Sequence, residues 1–203
     1  NGEIDNQNIN VHTRKADLKH EEIYILKGGE KEIYHPVFNY HGFRYALIET
    51  EGEVAVEKVT AQVVHTDLKT VGDFWCSDEM LNKLHEASRR ATLTNFLSIP
   101  TDCPHREQNG WTGDAHLSAE QALMNFDMTA SYKKWLKDMQ DSQRKTGQLP
   151  SIVPTSHHWG FIGSSGPTWD SALILIPWYV YNYTGDTEIL KDNINSIKKY
   201  IDF

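Results

Sequence analysis

The feature that most constrains the fold is a change of hydrophobic period between Thr66 and Asp73. From Glu22 to Val64 the chain reads EIYIL, a KGG turn signal, then EIYHPVFNYHGFRYALIE and VEKVTAQVV. It is dense in β-branched and aromatic residues, with Gly and Pro between them. Such residues fit a pleated, half-buried surface, so this half is expected to be β. After Ser77 the period becomes helical: in MLNKLHEASRRA, Leu81, Leu84, Ala87 or Ser88, and Ala91 recur on one face. The expected organisation is therefore a β region over residues 1–66, a short linker over 67–76 and an all-α region over 77–203.

Further helices can be read beyond that point. Asp127 is placed to cap a helix carrying Met128, Tyr132, Trp135, Leu136 and Met139 on one stripe, with Gly147 as its stop. Trp169 to Tyr183 is apolar nearly all round, as in an inner helix, whereas Thr187 to Asp202 has a single stripe of Leu190, Ile194, Ile197 and Ile201. Alternating inner and one-sided helices predict antiparallel helical hairpins in layers. Gln148 to Pro167, QLPSIVPTSHHWGFIGSSGP, is far longer than the usual connection of about 4 to 6 residues and is a candidate functional loop.

Composition sets the outer bounds. Hydrophobic residues make up 39% and charged residues 24%, as in an ordinary folded domain, and the formal net charge is -8. A nucleic acid or an anionic membrane would demand a surplus of Lys and Arg, so neither is an expected partner. No apolar run approaches the roughly 20 residues of a membrane-spanning helix, so membrane insertion is not expected either. Asn1 opens the chain with no basic-then-apolar leader pattern, so any targeting segment is expected to have been removed or to lie upstream. Cys76 and Cys103 flank a predicted helix of about 18 residues, roughly 27 Å long, so a disulfide would require the chain to double back. Cys103 reads as structural rather than as a nucleophile. His157 and His158 are adjacent, with no partner at zinc-site spacing, so neither a metal centre nor a cofactor is expected. The Glu51, Glu53 and Glu57 cluster reads as a solvated face, and Ser164 and Ser165 as loop hydrogen-bonding residues.

The chemistry is concentrated in IPTDCPHREQNGWTGDA, from Ile99 to Ala115, which holds Asp102, Arg106, Glu107, Trp111 and Asp114 between two helices. Acids around an Arg can be an ordinary surface salt bridge, and Trp111 can be a core anchor. However, Pro100 and Pro104 exclude a helix here and Gly110 and Gly113 permit tight turns, giving a rigid loop that presents carboxylates beside an indole. Desolvation and an adjacent cation push carboxyl groups in opposite directions, and glycoside hydrolysis needs one protonated and one ionised carboxyl. Trp111, Trp159 and Trp169, all in or beside loops, add surfaces on which a sugar ring can pack.

FLSIPTDCPHREQNGWTGDA resembles the signature of the bacterial α-L-rhamnosidases of glycoside hydrolase family 78. FNYHGFRYALIE is similar to a segment of the β-sandwich that precedes the family's catalytic barrel, and GPTWDSA to its later P-x-W-x-D-A element. The resemblance implies a mixed fold: a β-sandwich segment followed by the first helical hairpins of an (α/α)6 barrel that this chain leaves incomplete. It implies Glu107 as general acid, with Asp102, Arg106 and Asp114 holding rhamnose hydroxyls and Trp111 and Trp169 lining the pocket. Trp169 would lie near the C6 methyl. It also implies an inverting mechanism acting on a rhamnose-containing glycan or glycoside, with the general base beyond Phe203. On that view the 203-residue chain alone is inactive and prone to self-association. Two alternatives stand beside it: a related (α/α)6 glycosidase for another sugar, and a carbohydrate-binding module without turnover.

Overall fold

The computed structural model describes residues 21–155, 159–161 and 166–203. They fall into two compact units. The described part of the first runs from residue 21 to Val64 and takes in Pro104–Glu107; the second is His65–Cys103 with Gln108–Phe203. His157, His158, Ser164 and Ser165 lie outside the described residues.

In the second unit the helical reading is realised as α1 (Glu79–Thr94), α2 (Thr112–Asn125), α3 (Thr129–Ser142), α4 (Pro167–Asp170), α5 (Ala172–Thr184) and α6 (Glu188–Ile201). Between α1 and α2, β1 (Phe96–Leu97) pairs antiparallel with β2 (Ile99–Pro100). Asp78 caps α1 by accepting from the Met80 and Leu81 main-chain N–H groups at 2.8 and 3.4 Å. Asp127 accepts from the Thr129 N–H at 3.1 Å where α3 begins. α3 ends at Ser142, five residues before Gly147, because Gln143 leaves the helical region with ψ 127° and its amide bonds onward to the carbonyls of Gly147 and Ser196.

α5 packs against α2, α3 and α6, which accounts for its nearly all-apolar sequence. Leu173, Ile176 and Val180 are fully buried there, among Met128, Tyr132, Trp135, Leu136 and Met139 from the α3 stripe and Ile189 from α6. At a few kcal/mol for each large side chain removed from water, this cluster supplies the main stabilisation of the unit. The predicted segment from Trp169 is broken at Ser171 into α4 and α5.

Two stripes differ from the sequence reading. On α6 the buried face is Ile189 and Asn193, flanked by the partly buried Leu190, Ile197 and Tyr200, while Ile194 and Ile201 face outward. The stripe turned because Asn193 is satisfied inside: its Nδ2 donates to the Ile189 carbonyl and its Oδ1 accepts from Gln140, both at 2.8 Å. On α1 no residue is fully buried, and Leu81 and Leu84 are exposed, since no described element packs over that face.

The strand-like composition over 22–64 is not realised as paired strands among the described residues. β-branched and aromatic residues favour extended backbone, whereas a ladder needs a neighbouring edge to pair with. Within this unit Glu22 accepts from Tyr34 Oη at 3.0 Å, from Asn39 Nδ2 at 2.5 Å and from His41 Nε2 at 2.8 Å. These bonds hold its carboxyl below the usual range, the His41 bond contributing most. The stretch from Thr66 to Gly72 belongs to the second unit and is stitched to it. Val71 N–H donates to the Asn125 carbonyl at 2.9 Å, and Asp127 N–H to that of Lys69 at 2.8 Å. A Cβ on Gly72 would meet the Met124 oxygen at 1.9 Å, so only glycine fits that seam.

Candidate active site

The motif loop leaves β2 and is tied at its base before α2 begins. Asp102 N–H donates to the Asn109 carbonyl at 3.0 Å, and Asn109 N–H returns a bond to Asp102 Oδ1 at 2.9 Å. The other carboxylate oxygen, Oδ2, accepts from the Cys103 thiol at 2.8 Å. Cys103 is buried, and neither it nor Cys76 forms a disulfide among the described residues. The return is made by Gln108, whose φ of 53° is in the left-handed region that non-glycine residues rarely enter. Residues 103–108 are thus a closed excursion, and its outer part, Pro104–Glu107, is the portion that belongs to the first compact unit. There Arg106 Nη2 lies 3.1 Å from Glu107 Oε1, with both side chains partly exposed.

The following Gly-Trp segment is fastened to the long loop. Val153 N–H donates to the Gly110 carbonyl at 2.8 Å, Thr112 N–H to that of Ser151 at 2.9 Å, and Trp111 bridges Ile152. The buried Trp135 Nε1 donates to the Val153 carbonyl at 2.8 Å, so α3 holds the same loop from within. A Cβ on Gly110 would stand 2.0 Å from the Val153 oxygen, which fixes glycine there.

Asp102 and Asp114 open on one cavity of about 310 Å³ between α1 and α2. Asp114 is in the first turn of α2, and Ser118 and Gln121 follow it at i+4 and i+7, making a polar stripe along one wall. Thr92 and Asn95 face it from α1 and its cap; the Thr92 hydroxyl is 2.9 Å from the Gln121 amide oxygen. Of this stripe the motif includes Asp114 alone; Ser118 and Gln121 share its face of α2 beyond the motif's end.

Trp111 and Trp169 are not among the residues lining that cavity. Trp169 instead lies flat on the first turn of α2: a Cβ on Gly113 would meet its ring at 2.7 Å. His116, on the same helix, bonds through Nε2 to the Thr168 carbonyl at 2.9 Å. Trp159 opens a short 3-10 turn, Trp159–Phe161. Next to Trp169 is a residue that the sequence did not single out. Asp170 is 2% exposed, its Oδ1 has no hydrogen-bond partner among the described residues, and burial pushes its carboxyl up from 3.8 to about 6. Away from the motif, Asp73, His85 and Glu86 bring possible ligand atoms within 4.8 Å of one another. Arg89 Nη1 stands 3.9 Å from Asp73 and already supplies positive charge there.

Residues 69–203, about two thirds of the chain, match the model of the bacterial alpha-L-rhamnosidase 6 hairpin glycosidase domain. The chain belongs to the bacterial α-L-rhamnosidase family. Residues 1–65 match that family's concanavalin-like domain, so the fold is a six-hairpin glycosidase segment preceded by a concanavalin-like segment. Among curated relatives, an alpha-L-rhamnosidase of Formosa agariphila is 39% identical over 188 residues, covering 89% of this chain and 20% of its own length. One from Streptomyces avermitilis is 34% identical over 182 residues, covering 89% and 17%. The α-L-rhamnosidase structure from Dictyoglumus thermophilum superposes with a TM-score of 0.65 at 44% identity, over 68% of this chain and 16% of that one. The Streptomyces avermitilis enzyme complexed with L-rhamnose gives 0.64 at 33% identity, over 67% and 13%. This rhamnosidase-family chain therefore spans about a fifth of the length of the curated relatives it matches. Among the described residues no helix is long and apolar enough to cross a membrane.

Proposed function

We propose that the polypeptide carrying this sequence hydrolyses terminal α-L-rhamnosides with inversion, and that these residues supply the general acid and part of the sugar pocket. The observation that carries the reading is the shared cavity of Asp102 and Asp114, at the two ends of the rhamnosidase-like motif that contains Glu107. Asp102 retains acceptor capacity beyond its bonds to Asn109 and Cys103, because a carboxylate offers about four lone-pair sites. It and Asp114 take sugar hydroxyls. Glu107 protonates the departing oxygen. To do so it must carry a proton when the bond breaks, so Arg106 exchanges its contact with Glu107 for a sugar hydroxyl as the substrate enters. Trp111 and Trp169 pack against the apolar side of the ring, and the base that activates water comes from beyond Phe203, about 6.5 to 9.5 Å from the acid as inversion requires. Residues 67–76 act as the connection between the two regions.

A panel of nitrophenyl glycosides, assayed with the complete polypeptide, tests this reading. Cleavage of the α-L-rhamnoside, with the β-anomer appearing first by proton NMR, is the expected result. Preference for another sugar would identify a related six-hairpin glycosidase. Binding without cleavage would identify a carbohydrate-binding module.

A further inference from the structure

We infer that Gly42, in the NYHGF segment of the first unit, is a positioning residue for the acid loop: it is the seat on which Pro104 and His105 rest, and so it sets where Glu107 stands. The inference rests on the reading of Glu107 as general acid. A Cβ built on Gly42 would lie 2.9 Å from the carbonyl carbon of Pro104 and 3.0 Å from both the main-chain nitrogen and the Cβ of His105. Two of these three are backbone atoms, which cannot swing aside as a side-chain tip can. Any side chain at residue 42 must push the loop outward two to three residues before Glu107. The glycine is required by this approach alone, because its φ is not among the positive values of the chain.

The seat is itself held in place. The Glu22 carboxylate takes bonds from Asn39 and His41, the residues leading into Gly42, and so pins this turn to a point about 20 residues earlier in the chain. On the far side of the loop, the left-handed Gln108 and the Asp102–Asn109 pair close the excursion. Seated at Pro104 and His105, the tip has little freedom within its own compact unit. That suits an acid, since proton transfer demands placement within hydrogen-bond reach of one oxygen.

The test uses the complete polypeptide and two kinds of α-L-rhamnoside, aryl glycosides with good leaving groups and alkyl or disaccharide substrates with poor ones. Departure of a poor leaving group depends on the acid, whereas an activated phenol leaves with little help. Gly42→Val should lower kcat on poor leaving groups by roughly tenfold or more. It should change kcat on activated aryl rhamnosides less than about threefold and leave inhibition by free L-rhamnose unaltered. Gly42→Ala and Glu22→Gln should give smaller losses with the same dependence, and they serve if the valine variant does not fold. A merely structural role would reduce all substrates equally by lowering the folded fraction. An equal loss, or none, in these variants overturns the inference. Glu107→Gln, measured alongside, separates the two levels. If it shows no leaving-group dependence, the acid assignment itself fails; if it does and the Gly42 and Glu22 variants do not, only the seat fails.

Discussion

Glu107 and Asp170 are the two carboxyls whose surroundings determine what they do. For Glu107 we expect substitution by Gln in the complete polypeptide to cut turnover of poor leaving groups by about 10²- to 10⁴-fold, the range of general-acid catalysis, while the L-rhamnose inhibition constant stays nearly unchanged. Parallel kinetics of an alkyl and a nitrophenyl rhamnoside check this, and undiminished alkyl hydrolysis would remove Glu107 from the acid role. Asp170 acts on stability. Its carboxyl is raised from 3.8 to about 6 in the fold, so between those values the folded chain holds a proton that the unfolded chain has released. Stability contributed by this group is therefore full below pH 3.8, falls as pH rises towards 6, and is flat above it. Asp170→Asn should leave stability unchanged near pH 3.5 and raise it at pH 7.5, by at most roughly 3 kcal/mol for a shift of about two units. Urea denaturation at both pH values reads the difference; a variant less stable at pH 7.5 would mean that the ionised carboxyl is stabilised by its surroundings.

The elements around the motif are fastened by glycines that admit a neighbour's ring or backbone. Gly113 in α2 is one, with the Trp169 indole lying where its Cβ would be. Gly113→Ala should shift Trp169, costing about 1 to 3 kcal/mol as overpacking does and changing the indole emission. Unaltered fluorescence and unfolding midpoint would show that α4 moves away freely. Such seams explain which parts of the molecule could be read in advance. The α3 stripe was legible because Met128, Tyr132, Trp135, Leu136 and Met139 follow one period, and all five are buried. The α6 stripe was misread because Asn193 looks polar in sequence yet faces inward with both its amide ends bonded. The clustering of Asp102 and Asp114 on one cavity was legible from residue types and order, whereas the role proposed for Glu107 comes from the resemblance. Asp170 was not legible, since its burial comes from how α4 is folded back against the helices, which no local pattern in PTWD encodes.

For the molecule as a whole, the exposed face of α1, with Met80, Leu81 and Leu84 open to solvent, is a contiguous apolar stripe of the kind that drives association. A polypeptide limited to these 203 residues is expected to self-associate on light scattering and to show no rhamnoside turnover, because the proposed base is not among them. Leu81→Glu with Leu84→Glu should restore a monomer without lowering helical circular dichroism; persistent oligomers would place the association elsewhere. A different consequence follows from the four residues Pro104–Glu107, which belong to the same compact unit as the chain before Val64 although they come forty residues after it. Gene recombination that exchanged the amino-terminal region at the apparent border would strand those four residues on a foreign host. The border that matters for shuffling these modules runs through the motif, so a viable chimera must be graded on both sides of it.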